Sequence, residues 1–218
     1  MTPADQSALL LAEASATDLA TFVGRAQRID PDGCARLVAS GPVLAAYASP
    51  VHGAGGPTVL ALRVHGLMEL AEVDVTVPLV ALSDRFARLQ RVSGPRRLAL
   101  PPSQPASAPW AGLSAPRSGW TSVGEIGAED LADVARRGSE EITAGAPTGS
   151  GAAAVARLRA RVWGRPLGQH PDVPAGAAFV VDAFGFATPD EPVQIHANGS
   201  WRRLTTPRGH VLSRPALL

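Results

Sequence analysis

Val193-Gln194-Ile195-His196-Ala197-Asn198-Gly199-Ser200-Trp201-Arg202-Arg203-Leu204 holds the strongest local signal in the chain, an Asn-Gly pair between two strand-like runs. A two-residue hairpin turn requires positive φ, which Asn and Gly adopt at little steric cost, so the stretch predicts a tight antiparallel hairpin. The turn Pro207-Arg208-Gly209 then permits a third strand over His210 to Ser213. Three helical patterns precede the hairpin. Glu129, Asp130 and Asp133 suit the positive end of a helix whose inner face is Leu131, Val134, Ala135 and Ile142. Ser150 is a candidate cap for a second, with Val155, Leu158 and Val162 inward and Arg157 and Arg161 on one outer side. The third, within Pro174 to Phe186, is apolar nearly all round and belongs in a core. Helix, helix, helix, hairpin predicts a winged-helix-like C-terminal module over residues 119–218.

Residues 1–93 predict a second α+β module. Thr17 or Asp18 caps a helix carrying Leu19, Phe22, Val23 and Ala26, and a short helix after Asp30-Pro31 turns Cys34, Leu37 and Val38 inward until Gly41. Val43 to Ala48, Thr58 to His65 and Glu69 to Val77 read as a three-stranded antiparallel meander joined through Gly53-Ala54-Gly55-Gly56 and Gly66. In the last of these, Glu72, Asp74 and Thr76 form the expected wet face. A closing helix from about Val80 follows from Leu79, Leu82, Phe86 and Leu89. Between the modules, residues 94–118 hold Pro95, Pro101, Pro102, Pro105, Pro109 and Pro116 and read as a linker, partly packed through Trp110.

Composition excludes whole chemistries. All 20 basic residues among the 218 are arginine, so no lysine is present for a Schiff base, a pyridoxal anchor or a P-loop. Abundant Arg, Ala, Gly and Pro, all GC-rich codons, account for that bias. One cysteine, Cys34, permits neither an internal disulfide nor a multi-cysteine zinc site. No apolar run reaches the roughly 18–20 residues of a membrane span, and the expected home is the cytoplasm, with no membrane contact. The net charge is +1, yet residues 151–218 carry eight arginines against four acids.

Pro174-Ala175-Gly176-Ala177-Ala178-Phe179 and Arg203-Leu204-Thr205-Thr206-Pro207-Arg208-Gly209-His210-Val211-Leu212 resemble a group of high-GC actinobacterial proteins that carries no assigned activity. The resemblance implies a bacterial cytosolic origin and transfers no mechanism.

No catalytic constellation emerges. His52-Gly53-Ala54-Gly55-Gly56 is similar to an oxyanion loop, but its partner motif is missing, because Gly119 to Gly124 is one residue too long for G-x-S-x-G. His52, His65, His170, His196 and His210 are scattered without metal-ligand spacing. Cys34 reads as a buried small side chain. No cofactor is expected. The sequence therefore predicts a non-catalytic binding or regulatory module with a protein partner. Its candidate contact residues are Arg157, Arg161, Arg165, Trp201, Arg202, Arg203 and Arg208. Sequence-nonspecific nucleic-acid binding through these arginines is the alternative, and an enzyme of unrecognised class is the third reading.

Overall fold

The computed structural model describes residues 8–215 apart from 90, 92 and 148. The chain divides into two compact units, Met1–Ala48 with Leu62–Leu113, and Ser49–Ala61 with Ser114–Leu218.

The first unit opens with strand β1 (Ala8–Leu11) and helix α1 (Glu13–Ile29). Ala16, Leu19, Phe22, Val23 and Ala26 form the buried stripe of α1, as their spacing requires. The helix starts a turn earlier than the predicted caps: Thr17 lies inside it, its Oγ1 donating to Glu13 O at 2.9 Å, and Asp18 accepts from Arg63 Nε at 2.7 Å.

The predicted second helix is replaced by β2 (Cys34–Val51), a single strand of 18 residues. Cys34, Leu37 and Val38 match a helical spacing over five positions only, and the burial that forms is two-fold. Ala35, Leu37 and Ala39 are buried before Gly41, and Leu44, Ala46 and Ala48 after it. That change of parity coincides with Gly41, whose φ of 58° places it in the left-handed region.

The predicted strands on either side of Gly66 are likewise one element, β3 (Thr58–Pro78), and β2 and β3 pair. The meander is thus a long hairpin. Helix α2 (Leu79–Leu89) follows with Leu79, Leu82 and Phe86 buried. Strand β4 (Arg96–Ala99), in the Pro-rich stretch, pairs antiparallel with β1 through Leu9↔Leu98 and Leu11↔Arg96, giving the order β4-β1-β3.

The rest of that stretch packs on the first unit. Gln104 N donates to Thr76 O at 2.6 Å, and Arg36 Nη1 donates to Ala111 O at 2.7 Å while its other nitrogens hold both carboxylate oxygens of Asp74. Trp110 is buried within a short 3-10 helix, Pro109–Gly112. Glu72 and Asp74 lie on the wet side as expected, but Thr76 is buried beneath Ser103.

The second unit contains β5 (Thr121–Ile126), α3 (Ala128–Gly145), α4 (Ala152–Trp163), the short pair β6 (Pro166–Leu167) and β7 (His170–Pro174), and α5 (Gly176–Ala183). Three more strands end it: β8 (Val193–Asn198), β9 (Trp201–Thr206) and β10 (Gly209–Arg214). The predicted hairpin forms, but one residue later than the Asn-Gly pair suggests: Asn198 ends β8 opposite Trp201, and the two-residue loop is Gly199-Ser200, with Gly199 at φ 53°.

The winged-helix expectation fails on topology. Strand β5 precedes the helices and pairs antiparallel with β8 from Thr121↔Ala197 to Ile126↔Val193, so the hairpin is the middle of an antiparallel sheet ordered β10-β9-β8-β5. Helix α5 cannot read a groove, because Gly176, Ala177, Ala178, Val180 and Val181 are all buried.

The tip of the β2–β3 hairpin belongs to this unit. A Cβ on Gly56 would meet the Ala160 Cβ at 2.9 Å, Val51 lies against Gly176, and Pro57 lies against Gly164. The glycine-rich loop is therefore a turn anchored at Gly56, with residues 52–55 exposed and Gly53 and Gly55 at positive φ.

Candidate functional site

The structure disperses the seven candidate residues of the sequence. Arg157 and Arg161 are exposed on α4, and Arg165, just past it, forms a two-pronged ion pair with Glu141. The hydrogen bonds from Arg165 hold the Glu141 carboxyl below its ordinary pKa. Arg208 is exposed in the β9–β10 turn.

Adjacent Arg202 and Arg203 point to opposite sides of the sheet, as successive strand residues must. Arg202 is satisfied: Nη2 donates to Asp172 at 2.8 Å, and Nη1 donates to the carbonyls of Gly199 and Trp201. Arg203 is not.

The register set by the turn places His196 and Leu212 opposite Arg203, and Asn198 opposite Trp201. Trp120 joins them just ahead of β5, fixed by its Nε1 donating to Pro116 O at 3.0 Å. Asn198 Nδ2 donates to Ser118 O at 2.8 Å and ties the same segment down.

The Arg203 guanidinium lies 4.7 Å from the centroid of Trp120, and Arg214 lies 6.0 Å from that of Trp201. Among the described residues no hydrogen bond or ion pair engages the Arg203 side chain. Its Nε is sealed from solvent without a partner, as is Nδ1 of His196. A sealed, unpaired donor costs about 1–3 kcal/mol, more when charged. Burial pulls the pKa of Arg203 down. Burial also lowers that of His196, followed by the charge of Arg203, with the backbone of Arg203 and Gln194 partly opposing.

Of the predicted residues, then, the hairpin brings together Trp201 and Arg203. Trp120, His196 and Arg214, which complete the cluster, were missed. The sequence did not signal His196: a two-residue loop at Asn198-Gly199 would set it opposite Trp201, and only the observed loop at Gly199-Ser200 sets it opposite Arg203. The pair His196 and His210 does not form a ligand set, since β9 separates their strands and His210 Nδ1 lies 3.2 Å from Thr205 Oγ1. No group of three or more His, Cys, Asp or Glu able to hold a metal occurs among the described residues.

The first unit carries a different surface. On β3, Val64 (47% exposed), Met68 (53%) and Leu70 (79%) alternate along the wet side, and Val43 on β2 is also open at 45%. His65, between them in sequence, faces inward. It is buried, with Nδ1 3.5 Å from Asp18 and Nε2 unpartnered. Burial lowers its pKa to about 4, against a raising pull from Asp18. Cys34 is buried, and that burial raises its thiol pKa.

A cleft of about 640 Å³ in the second unit is lined by Glu125, Asp130, Asp133, Arg137 and His170 among others. Arg137 lies 3.8 Å from Asp133.

The two-unit, sheet-rich α+β architecture is that of DNA polymerase sliding clamps. A sliding clamp from Caulobacter crescentus matches 96% of this chain at 13% identity and TM-score 0.53, and a pol III beta structure from the same organism matches at 13% and 0.54. A Bartonella birtlesii sliding clamp bound to griselimycin matches 96% at 10% and 0.53. In each case this chain spans 65% of the other's length. At such identity the likeness is one of fold.

Residues 4–112 match the family model described as a domain of unknown function, DUF8010, and the chain belongs to that family. Residues 115–218 match a second domain of unknown function, DUF8185. No curated protein matches the sequence. No helix among the described residues is long and apolar enough to cross a membrane.

Proposed function

We propose that this chain is a non-catalytic protein-interaction module on a clamp-type fold, docking a partner protein on the β3 row Val64, Met68 and Leu70. The observation that carries the reading is the exposure of that row, with Leu70 at 79%. Met68 and Leu70, two residues apart on one face, stand about 7 Å from each other, and Val64 lies on the same side beyond the side-chain-free Gly66. Contiguous exposed apolar surface marks interaction sites, and burying a leucine contributes about 1.5–3 kcal/mol. The neighbours' names, sliding clamp and polymerase subunit, describe components of polymerase assemblies, which supports a binding role over a catalytic one. The cytosol of a high-GC actinobacterium, implied by the C-terminal resemblance, is the setting of this proposal.

A photo-crosslinking residue placed at Leu70 tests it, with one at the exposed Val123 of the second unit as control. Leu70 is expected to capture one recurrent protein that Val123 does not, and Met68→Arg is expected to abolish the capture. The same products from both positions would refute it.

A DNA-associated role is the second reading, favoured by the clamp names and by Arg157, Arg159 and Arg161 on α4. Against it, α3 carries five acids and two arginines, a surface that repels phosphate. This reading predicts affinity that falls steeply with salt. Retention on a phosphate-bearing column no greater than that of a neutral control at low salt would end it.

A further inference from the structure

The Arg203 cluster belongs to the second unit, and the β3 row belongs to the first. Arg203 is held in place by an aromatic face, Trp120 at 4.7 Å, rather than by an anion. Its sequence neighbour Arg202 has both terminal nitrogens engaged, Nη2 by Asp172 and Nη1 by carbonyl oxygens. The carboxylate available on Arg203's own side of the sheet, Glu125, accepts from Gln194 Nε2 at 2.9 Å instead. The guanidinium is thus preorganised and half-buried, with Nε sealed. Its terminal nitrogens Nη1 and Nη2 are neither sealed nor bonded among the described residues. A neighbouring orphan, Nδ1 of His196, faces it across the β8–β9 pair.

The sealed Nε and the indole face fix the guanidinium plane, so the groups left for a ligand are the terminal nitrogens. A planar fork whose open edge is Nη1 and Nη2 matches a carboxylate through two parallel hydrogen bonds. One guanidinium walled by an indole neutralises a monoanion. A phosphate dianion would remain under-compensated by a single guanidinium.

We propose that Arg203, stacked on Trp120 beside His196, is a carboxylate-binding site. Two sources supply that group, an acidic side chain of a docked protein or a free carboxylic acid.

Nuclear magnetic resonance of the arginine Nε–H and tryptophan indole N–H groups in the full chain tests this at fixed ionic strength. The probes are sodium acetate, a blocked tetraglutamate peptide and inorganic phosphate. Acetate and peptide are expected to shift the Arg203 and Trp120 signals saturably, with phosphate weaker. Arg203→Gln is expected to lower affinity at least tenfold, while Arg202→Gln leaves it within twofold. If Arg203→Gln melts early, Arg203→Lys carries the test, since it keeps the charge and loses the fork, and is expected to weaken binding several-fold. Peptide binding tenfold tighter than acetate at equal carboxylate concentration assigns the site to a protein partner. Equal affinity assigns it to a free acid. No saturable shift, tighter binding of phosphate, or unchanged affinity in both Arg203 variants would overturn the proposal, and each result is independent of capture at Leu70.

Discussion

The six-membered ring of Trp163 rests on Gly138: a methyl group built on that glycine would fall 2.2 Å from Cζ3 and 2.6 Å from Cη2. The indole also stacks on Phe179 with centroids 4.7 Å apart, so it has no free direction in which to retreat. Gly138→Ala is expected to destabilise the second unit by about 1–3 kcal/mol through overpacking, despite the helix propensity it gains. Gly24 in α1, with nothing within 4 Å of its would-be Cβ, is the matched control. Gly24→Ala is expected to stabilise by about 0.5–1 kcal/mol. Denaturant melts of the two variants would show shifts of opposite sign.

His65 makes stability depend on acid. Its pKa is about 4 in the folded chain against about 6.5 unfolded. Between those values the unfolded chain binds the extra proton, so stability rises with pH there. The contribution is complete above about pH 6.5 and is lost as pH falls toward 4, by about 3 kcal/mol in all. His65→Gln is expected to flatten this part of the pH–stability curve. An unchanged slope would show that Asp18, 3.5 Å away, offsets the burial.

Arg36 joins three segments, β2, β3 through Asp74, and the carbonyl of Ala111. Arg36→Ala is expected to cost about 1–3 kcal/mol, since it leaves hydrogen-bond acceptors unpaired. Amide exchange over residues 108–113 should accelerate together with that of β3. Exchange confined to β3 would mean that residues 108–113 are held by the burial of Trp110 and by the Ser103 and Gln104 bonds to Thr76 without help from Arg36.

Cys34 is expected to resist alkylation at neutral pH in the folded protein and to react once unfolded, because burial removes access and raises the thiol pKa. Rapid labelling of the native chain would contradict the packing of β2.

Features whose periodicity extends over many residues were legible in advance. Helix α2, the buried helix α5 and the β8–β9 hairpin each rest on local chemistry, although the hairpin's loop falls on Gly199-Ser200 rather than on Asn198-Gly199. The stretch around Cys34, Leu37 and Val38 misled because five residues satisfy both periods, and the partner that decides, β3, lies some 40 residues downstream. The winged-helix reading failed for a similar reason. Thr121 to Ile126 is mostly exposed and so lacks the alternation that would have announced a strand beside β8. At the candidate site, Trp201 and Arg203 were legible as a pair from strand alternation. Trp120 was not, because it reaches Arg203 from a Pro-flanked segment about 80 residues earlier with no local pattern to signal the approach.

The two family models divide the chain between residues 112 and 115, yet residues 49–61 complete the unit that begins after that point. During synthesis the tip carrying Val51, Gly56 and Pro57 leaves the ribosome about 100 residues before Ala160 and Gly176, on which it packs. It must therefore wait, apolar and unpaired, for the rest of its own unit. A gene cut between the two matched regions would strand that tip on one product and leave its seat empty on the other.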